Sequence, residues 1–221
     1  MTAQCTDVLI YNGERCRMHT NPLEDYIYQD GYSGKCPYGE VQLSACWRGY
    51  VATFEIKDDQ LFLNDIQVQD DWDDGWSNGW RSAMNDVFPG QDTVKAEWFS
   101  DILVLPRDEV VQFVHMGYAT TYERYTILKI EKGNLIGTTE MPLGEYMTFE
   151  EKREHDYWLS ERKRMSAMTE QEWLEDMFSR ARRWRRSRSD VLDFPIRKED
   201  PIERLEEVER EYALTKSAKV L

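Results

Sequence analysis

The sequence predicts an α+β protein: a largely antiparallel, hairpin-connected sheet followed by a helical C-terminal region. Three observations point there. Roughly eight short segments read as strands, joined by tight-turn signals with no strand–helix–strand alternation. From residue 148 onward the apolar positions recur every three or four residues instead of every two. The charge balance changes at the same place. Residues 1–148 hold 11 Lys+Arg against 24 Asp+Glu, a net of −13, while residues 149–221 hold 17 against 18, a net of −1. The expected organisation is a strand-rich acidic body over 1–144 and a charged helical extension over 145–221, packed on the body or on a partner.

Taken in order, Asp7, Val8, Leu9, Ile10 and Tyr11 form a short apolar strand. Asn12-Gly13 then marks a type I′ hairpin, because that turn needs positive φ at both central residues. Asn21-Pro22-Leu23-Glu24 reads as a turn into a short helix, and residues 31–39 as a glycine-rich loop. In residues 46–56, Tyr50, Ala52, Phe54 and Ile56 share one face of a strand. Lys57-Asp58-Asp59-Gln60 turns it back into residues 61–68. A short helix is expected over 81–88, stopped by Pro89-Gly90. Further strands are expected over 93–99, 102–105, 110–116 and 125–130, with Gly133-Asn134 returning the last into Leu135 and Ile136. Helices follow over about 148–165, 169–188 and 202–214. The second opens on the capping box Thr169-x-x-Glu172 and carries an apolar stripe of Trp173, Met177, Ala181 and Trp184. Pro201 suits the first turn of the third.

Composition narrows the function classes. No stretch approaches the roughly 20 apolar residues of a membrane span. The N-terminus shows no basic segment followed by an apolar one, so a cytoplasmic location is expected. Cys5, Cys16, Cys36 and Cys46 contain no close pair of the kind that presents two thiolates to zinc, and are expected as mostly buried thiols. His19, His115 and His155 show no ligand spacing, and no phosphate loop, dinucleotide fingerprint or nucleophile elbow occurs. Neither a metal nor a cofactor is expected. The overall charge of −14 opposes nucleic acid and anionic lipid and favours a basic partner.

Three groups of residues carry the candidate chemistry. Asp70, Asp71, Trp72, Asp73, Asp74, Trp76 and Trp80 form an acidic, aromatic loop. It is not a calcium loop of EF-hand type: with Gly75 at the sixth position, the third is Trp72 and the twelfth Arg81. Either its tryptophans pack onto the sheet, or the loop is a partner-binding hot spot. Arg48, His115 and Tyr118 are the candidate members of an enzyme site, with His115 before a glycine at a strand end. Arg180, Arg182, Arg183, Arg185, Arg186 and Arg188 surround Trp184, which alone would suggest nucleic acid. Acidic neighbours such as Glu172, Glu175 and Asp176 suggest paired charges instead.

Asn21-Pro22-Leu23-Glu24-Asp25-Tyr26, residues 46–56 (CWRGYVATFEI), Trp98-Phe99-Ser100 and Val114-His115-Met116-Gly117-Tyr118 together resemble a family of uncharacterised bacterial proteins. That resemblance spans about residues 7–137 and points to the immunity-type proteins that accompany polymorphic toxins; it assigns no functional residue. The expected function is therefore a non-catalytic, cytoplasmic immunity protein that neutralises a toxin domain by acidic surface complementarity. Its expected partner is a basic protein, with self-association through the C-terminal helices open. Two alternatives stand beside it: an enzyme built around Arg48, His115 and Tyr118, and a nucleic-acid-binding module using the helix from Arg180 to Arg188.

Overall fold

Alternation of apolar and polar residues builds most of the sheet. The computed structural model describes residues 2–28, 36–37, 39, 41, 43–70, 79–169, 171–173 and 176. In chain order the elements are β1 (Asp7–Tyr11), β2 (Glu14–Met18), α1 (Pro22–Tyr28), β3 (Tyr50–Lys57), β4 (Gln60–Gln69), β5 (Trp80–Ser82), α2 (Met84–Val87), β6 (Val94–Lys95), β7 (Ile102–Gln112), β8 (Thr121–Glu131), β9 (Asn134–Pro142) and α3 (Leu143–Ala167). The chain divides into two compact units, Met1–Ala167 and Met168–Leu221.

In the first unit the described strands form one mixed sheet in the order β2-β1-β3-β4-β9-β8-β7, with β5 and β6 on β4. All pairings are antiparallel except β1 on β3, which run parallel. The protein is thus α+β with a mostly antiparallel sheet. Three hairpins use positive φ at both turn residues: Asn12-Gly13, Asp58-Asp59 and Lys132-Gly133. The third lies one residue earlier than the expected Gly133-Asn134.

Opposite ends of the sheet meet. His19 N–H donates to Val104 O at 2.8 Å, and Val104 N–H to Thr20 Oγ1 at 3.0 Å. The curled sheet encloses a core containing Leu9, Met18, Tyr50, Ala52, Phe54, Leu61, Leu63, Ile66, Leu103, Leu105 and Leu128. Helix α1 closes it with Leu23 and Ile27. Tyr26, Phe88 and Trp98 pack ring on ring beside it, with centroids 4.8 to 5.8 Å apart, and Trp98 Nε1 donates to Pro22 O at 2.8 Å. A second, smaller core of Val104, Tyr122, Tyr125, Ile127 and Met141 is covered by Leu143, Tyr146 and Phe149 of α3. Tyr146 stacks on Tyr125 at 3.8 Å.

Several expectations need correction. The strands expected over 102–105 and 110–116 are one strand, β7, which runs through Pro106 and bulges between Arg107 and Val110. A proline is tolerated because β7 ends the sheet order. The strand expected from residue 46 begins at Tyr50, after a turn closed by Gly49 N–H on Cys46 O at 2.9 Å. Residues 81–88 split between β5 and α2. The helix expected from 148 starts at Leu143, and α3 lies within the first compact unit, Met1–Ala167.

Among the described residues, the side chains of α3 that pack on the sheet come from its start, Leu143, Tyr146 and Phe149. Tyr157, Trp158 and Leu159 are exposed, Trp158 by 61%, and Trp173 is also exposed. In the second unit the capping box forms: Thr169 N–H donates to Glu172 Oε2 at 2.8 Å, and Glu172 N–H to Thr169 Oγ1 at 3.3 Å. Met177, Ala181, Trp184, the arginine cluster and the third expected helix lie outside the described residues.

Gly133 combines two constraints. Its φ is +71°, and a Cβ there would meet Ala96 O at 2.8 Å, whereas Gly13 has φ +81° and open space. Gly133→Ala should lower stability by about 1–3 kcal/mol, and Gly13→Ala by about 1 kcal/mol from backbone strain alone. Urea midpoints of the two variants test this ordering.

Candidate functional site

One buried carboxylate organises the region where the N-terminus, α1, the 46–49 turn and the 113–120 loop converge. Asp7 opens β1 and has no exposed surface. Its Oδ1 accepts the Ala52 N–H at 2.9 Å and pairs with Arg48 Nη2 at 3.1 Å. Burial pushes Asp7 up to about 6, against the pull of Arg48 and the Ala52 N–H. The turn at 46–49 is what returns Arg48 toward Asp7; it is closed by Gly49, whose φ is +78°.

Arg48 does more than neutralise Asp7. It donates to Cys5 O at 2.9 Å and to Asn21 Oδ1, and its guanidinium lies 5.2 Å from the Tyr50 ring centre. Tyr118 Oη lies 3.1 Å from Cys5 O and 2.9 Å from Asn21 Oδ1, so one hydroxyl proton serves the same two acceptors. Burial pushes Tyr118 up to about 12 and raises Tyr50 as well, so both phenols stay protonated at neutral pH. Asp7 Oδ2 and the Tyr50 hydroxyl find no hydrogen-bond partner among the described residues. This is a lock: its donors hold four segments together.

A cleft of 350 Å³ lies on the outside of the lock, lined by Gln4, Cys5, Arg17, His19, Phe113, Tyr118 and Tyr122 among others. His19 stacks on Tyr118 with centroids 5.1 Å apart and meets Tyr122 edge-on at 5.8 Å. Burial, helped by Arg17, lowers His19 to about 4, so its ring is neutral at physiological pH. Arg17 Nη1 donates to Tyr122 Oη at 3.3 Å. Residues 2–5 form one wall. Gln4 N–H donates to Gly117 O at 3.1 Å, Gly117 N–H to Thr2 O at 3.2 Å, and Cys5 N–H to Ala45 O at 2.6 Å. The Gln4 side chain accepts the Trp47 N–H at 2.9 Å and donates to Ser44 O at 3.0 Å.

The rim of the cleft is apolar and exposed. Residues 110–122 contain no Asp, Glu, Lys or Arg, in a chain that is 32% charged. Within them Val110, Val111, Phe113 and Met116 are exposed, Phe113 by 70%. Trp47, 59% exposed, stands across the N-terminal segment. Interface centres are in general depleted of charged side chains and enriched in aromatics and Met.

The structure redistributes the residues singled out from sequence. Arg48 and Tyr118 do meet, but His115 does not join them: it is exposed and tilts against Phe113 at 6.3 Å. The histidine beside Tyr118 is His19. Of the acidic loop, Asp70 pairs with Arg81, and its N–H bonds Gly79 O at 2.8 Å. Trp80 is half-buried in β5, opposite Gln69. Asp71, Trp72, Asp73, Asp74 and Trp76 lie outside the described residues, as do Arg180 to Arg188. No group of three or more metal-ligating side chains occurs among the described residues. Sequence reasoning passed over Asp7, Asn21, His19 and the rim. The charge-free run was visible in the sequence; the burial of Asp7 was not.

Two predictions follow from the lock and the ring beside it. Arg48→Met strands a buried carboxylate and should destabilise the protein by about 3–5 kcal/mol, and adding Asp7→Asn should recover part of that loss. Chemical denaturation of the single and double variants reads the coupling. His19 has a folded value below its ordinary 6.5. The unfolded chain therefore binds more protons between about pH 4 and 6.5, and the His19 contribution to stability is lost as pH falls through that window. Asp7, raised in the fold, acts with the opposite sign between 3.8 and about 6. With His19 removed the Asp7 contribution is unopposed, so from pH 6.5 to 4 the melting temperature of His19→Asn should rise relative to that of wild type, measured for both across pH.

The chain matches no family model, no curated protein and no solved structure, so its site is read from its own chemistry.

Proposed function

We propose that this protein is a non-catalytic binding protein that caps a basic protein partner through the charge-free rim around Phe113. The observation that carries this reading is the uncharged run 110–122 with its four exposed apolar side chains, set in a body of net charge −13. Charge and rim do different work. The acidic body draws a basic partner in over a screening length of roughly 8 Å at 0.15 M salt. Val110, Val111, Phe113 and Met116 then lose water on contact without stranding any charge, which is how interface centres gain affinity. The aromatic cleft offers a seat for one inserted side chain. The immunity-type resemblance fits this chemistry, with a toxin domain bearing a basic cleft as the partner and the cytoplasm as the place of action. Among the described residues no helix is long and apolar enough to cross a membrane.

Arg48 and Tyr118 lend little to an enzyme reading, because the Arg48 donors and the Tyr118 hydroxyl face Asp7, Cys5 and Asn21.

Affinity capture on the tagged protein should retain a basic protein that Val111→Lys and Phe113→Ser fail to retain. Association with it should slow as salt rises. Changing Asp70, Asp71, Asp73 and Asp74 together to Asn should lower the on-rate more than it raises the off-rate. Capture that is indifferent to the rim variants, or a salt-independent on-rate, would remove the rim or the charge from the account.

A further inference from the structure

Cys5 and Cys46 are far apart in sequence, but the fold sets them side by side. The Cys5 N–H donates to the carbonyl of Ala45, the residue before Cys46, at 2.6 Å. Standard geometry adds about 1.5 Å from N to Cα, and about 2.8 Å from a carbonyl oxygen to the next Cα across a trans peptide. At full stretch the two Cα atoms are therefore about 7 Å apart, and any bend brings them into the roughly 4.4–6.8 Å window of disulfides. Both are free thiols in this structure. Their surroundings are unequal. Cys5 is half-exposed and lines the cleft, while Cys46 is buried with its Sγ 3.1 Å from Tyr50 O. Charge on Cys5 is felt at Cys46, whose thiol burial has already pushed up to about 11.

We propose that Cys5 and Cys46 form a redox pair that a small disulfide oxidant closes into a cross-link, fixing the N-terminal wall of the cleft. The Cys5 thiolate, reachable from solvent, attacks one sulfur of the oxidant, breaking its S–S bond and releasing one thiolate. Cys46 then loses its proton to solvent and attacks the Cys5 sulfur. That breaks the mixed disulfide and releases the second thiolate. Two protein S–H groups are oxidised to one S–S, and one oxidant S–S is reduced to two thiols. The second step is intramolecular, so the burial of Cys46 does not block it. Its rate follows the small thiolate fraction at Cys46 and rises about tenfold per pH unit below that group's titration. In the reduced protein residues 2–5 are held by hydrogen bonds to Gly117, Ala45 and Ser44. The cross-link makes that hold covalent and couples the cleft to the redox state.

Oxidised glutathione is the probe. The reduced full-length chain is incubated with it at pH 7 and 8.5, quenched with acid, digested without reductant and mapped by mass spectrometry. The expected product joins the Cys5 and Cys46 peptides, forms faster at the higher pH, and slows amide exchange at Gln4 and Cys5. Cys46→Ser should stop at a glutathione adduct on Cys5, while Cys16→Ser should cross-link as wild type does. A wild-type chain that holds glutathione on Cys5 with Cys46 still reduced at both pH values would overturn the proposal. So would a cross-link from Cys5 to Cys16 or Cys36.

Discussion

The buried ion pair between Asp7 and Arg48 is the constraint on which this region of the structure depends. A carboxylate without exposed surface cannot remain charged in a protein interior unless a cation and hydrogen-bond donors face it. Asp7 gets Arg48 and the Ala52 N–H, and still sits up at about 6. Arg48 in turn reaches Cys5 O and Asn21 Oδ1, and Tyr118 reaches the same two atoms. Four segments distant in sequence are therefore registered by one charge. An apolar pair of the same volume could hold them as firmly, but it would not dictate which backbone carbonyl meets which donor. The pair's contribution is to geometry more than to net stability.

That geometry shapes the surface. Tyr118 anchors the 113–120 loop from below, so Phe113 and Met116 are held outward while Tyr118 and His19 floor the cleft. The N-terminal segment is pinned between Gly117 and Ala45 and supplies the opposite wall. Buried electrostatics and exposed apolar surface are thus two sides of one arrangement. The neutral state of His19 keeps the floor uncharged, consistent with a rim free of Asp, Glu, Lys and Arg. Desolvating residues 110–122 strands no ion of their own, while the acidic remainder of the body acts at longer range.

Local signals in the sequence revealed the local structure. Asn12-Gly13 and Asp58-Asp59 mark hairpins because turn chemistry is a property of neighbouring residues, and Tyr50, Ala52 and Phe54 alternate because one face of β3 is buried. The capping box at Thr169 and Glu172 was legible for the same reason. Non-local features were not. The parallel pairing of β1 with β3 joins Leu9 to Phe54, and no turn signal encodes it. The strands expected over 102–105 and 110–116 are one, and the sequence does not reveal that β7 ends the sheet order, where the N–H that Pro106 lacks is not needed. The candidate site followed the same division. Arg48 and Tyr118 were legible as polar residues in distinctive motifs, but their partners Asp7 and Asn21 become special only through burial. His115 drew notice by its place before a glycine, while His19, on the opposite edge of the curled sheet, is the ring that stacks on Tyr118.

The central claim is that the uncharged rim and the cleft beside it meet a basic protein. Hydrogen–deuterium exchange on the complex with the co-purifying basic protein tests it most directly, because the backbone reports contact without any substitution. The account predicts slowed exchange across residues 110–118 and 2–5, with the solvent face of β3 and β4 unchanged. Slowed exchange confined to β4, β5 or α3, with residues 110–118 exchanging as in the unbound protein, would contradict it.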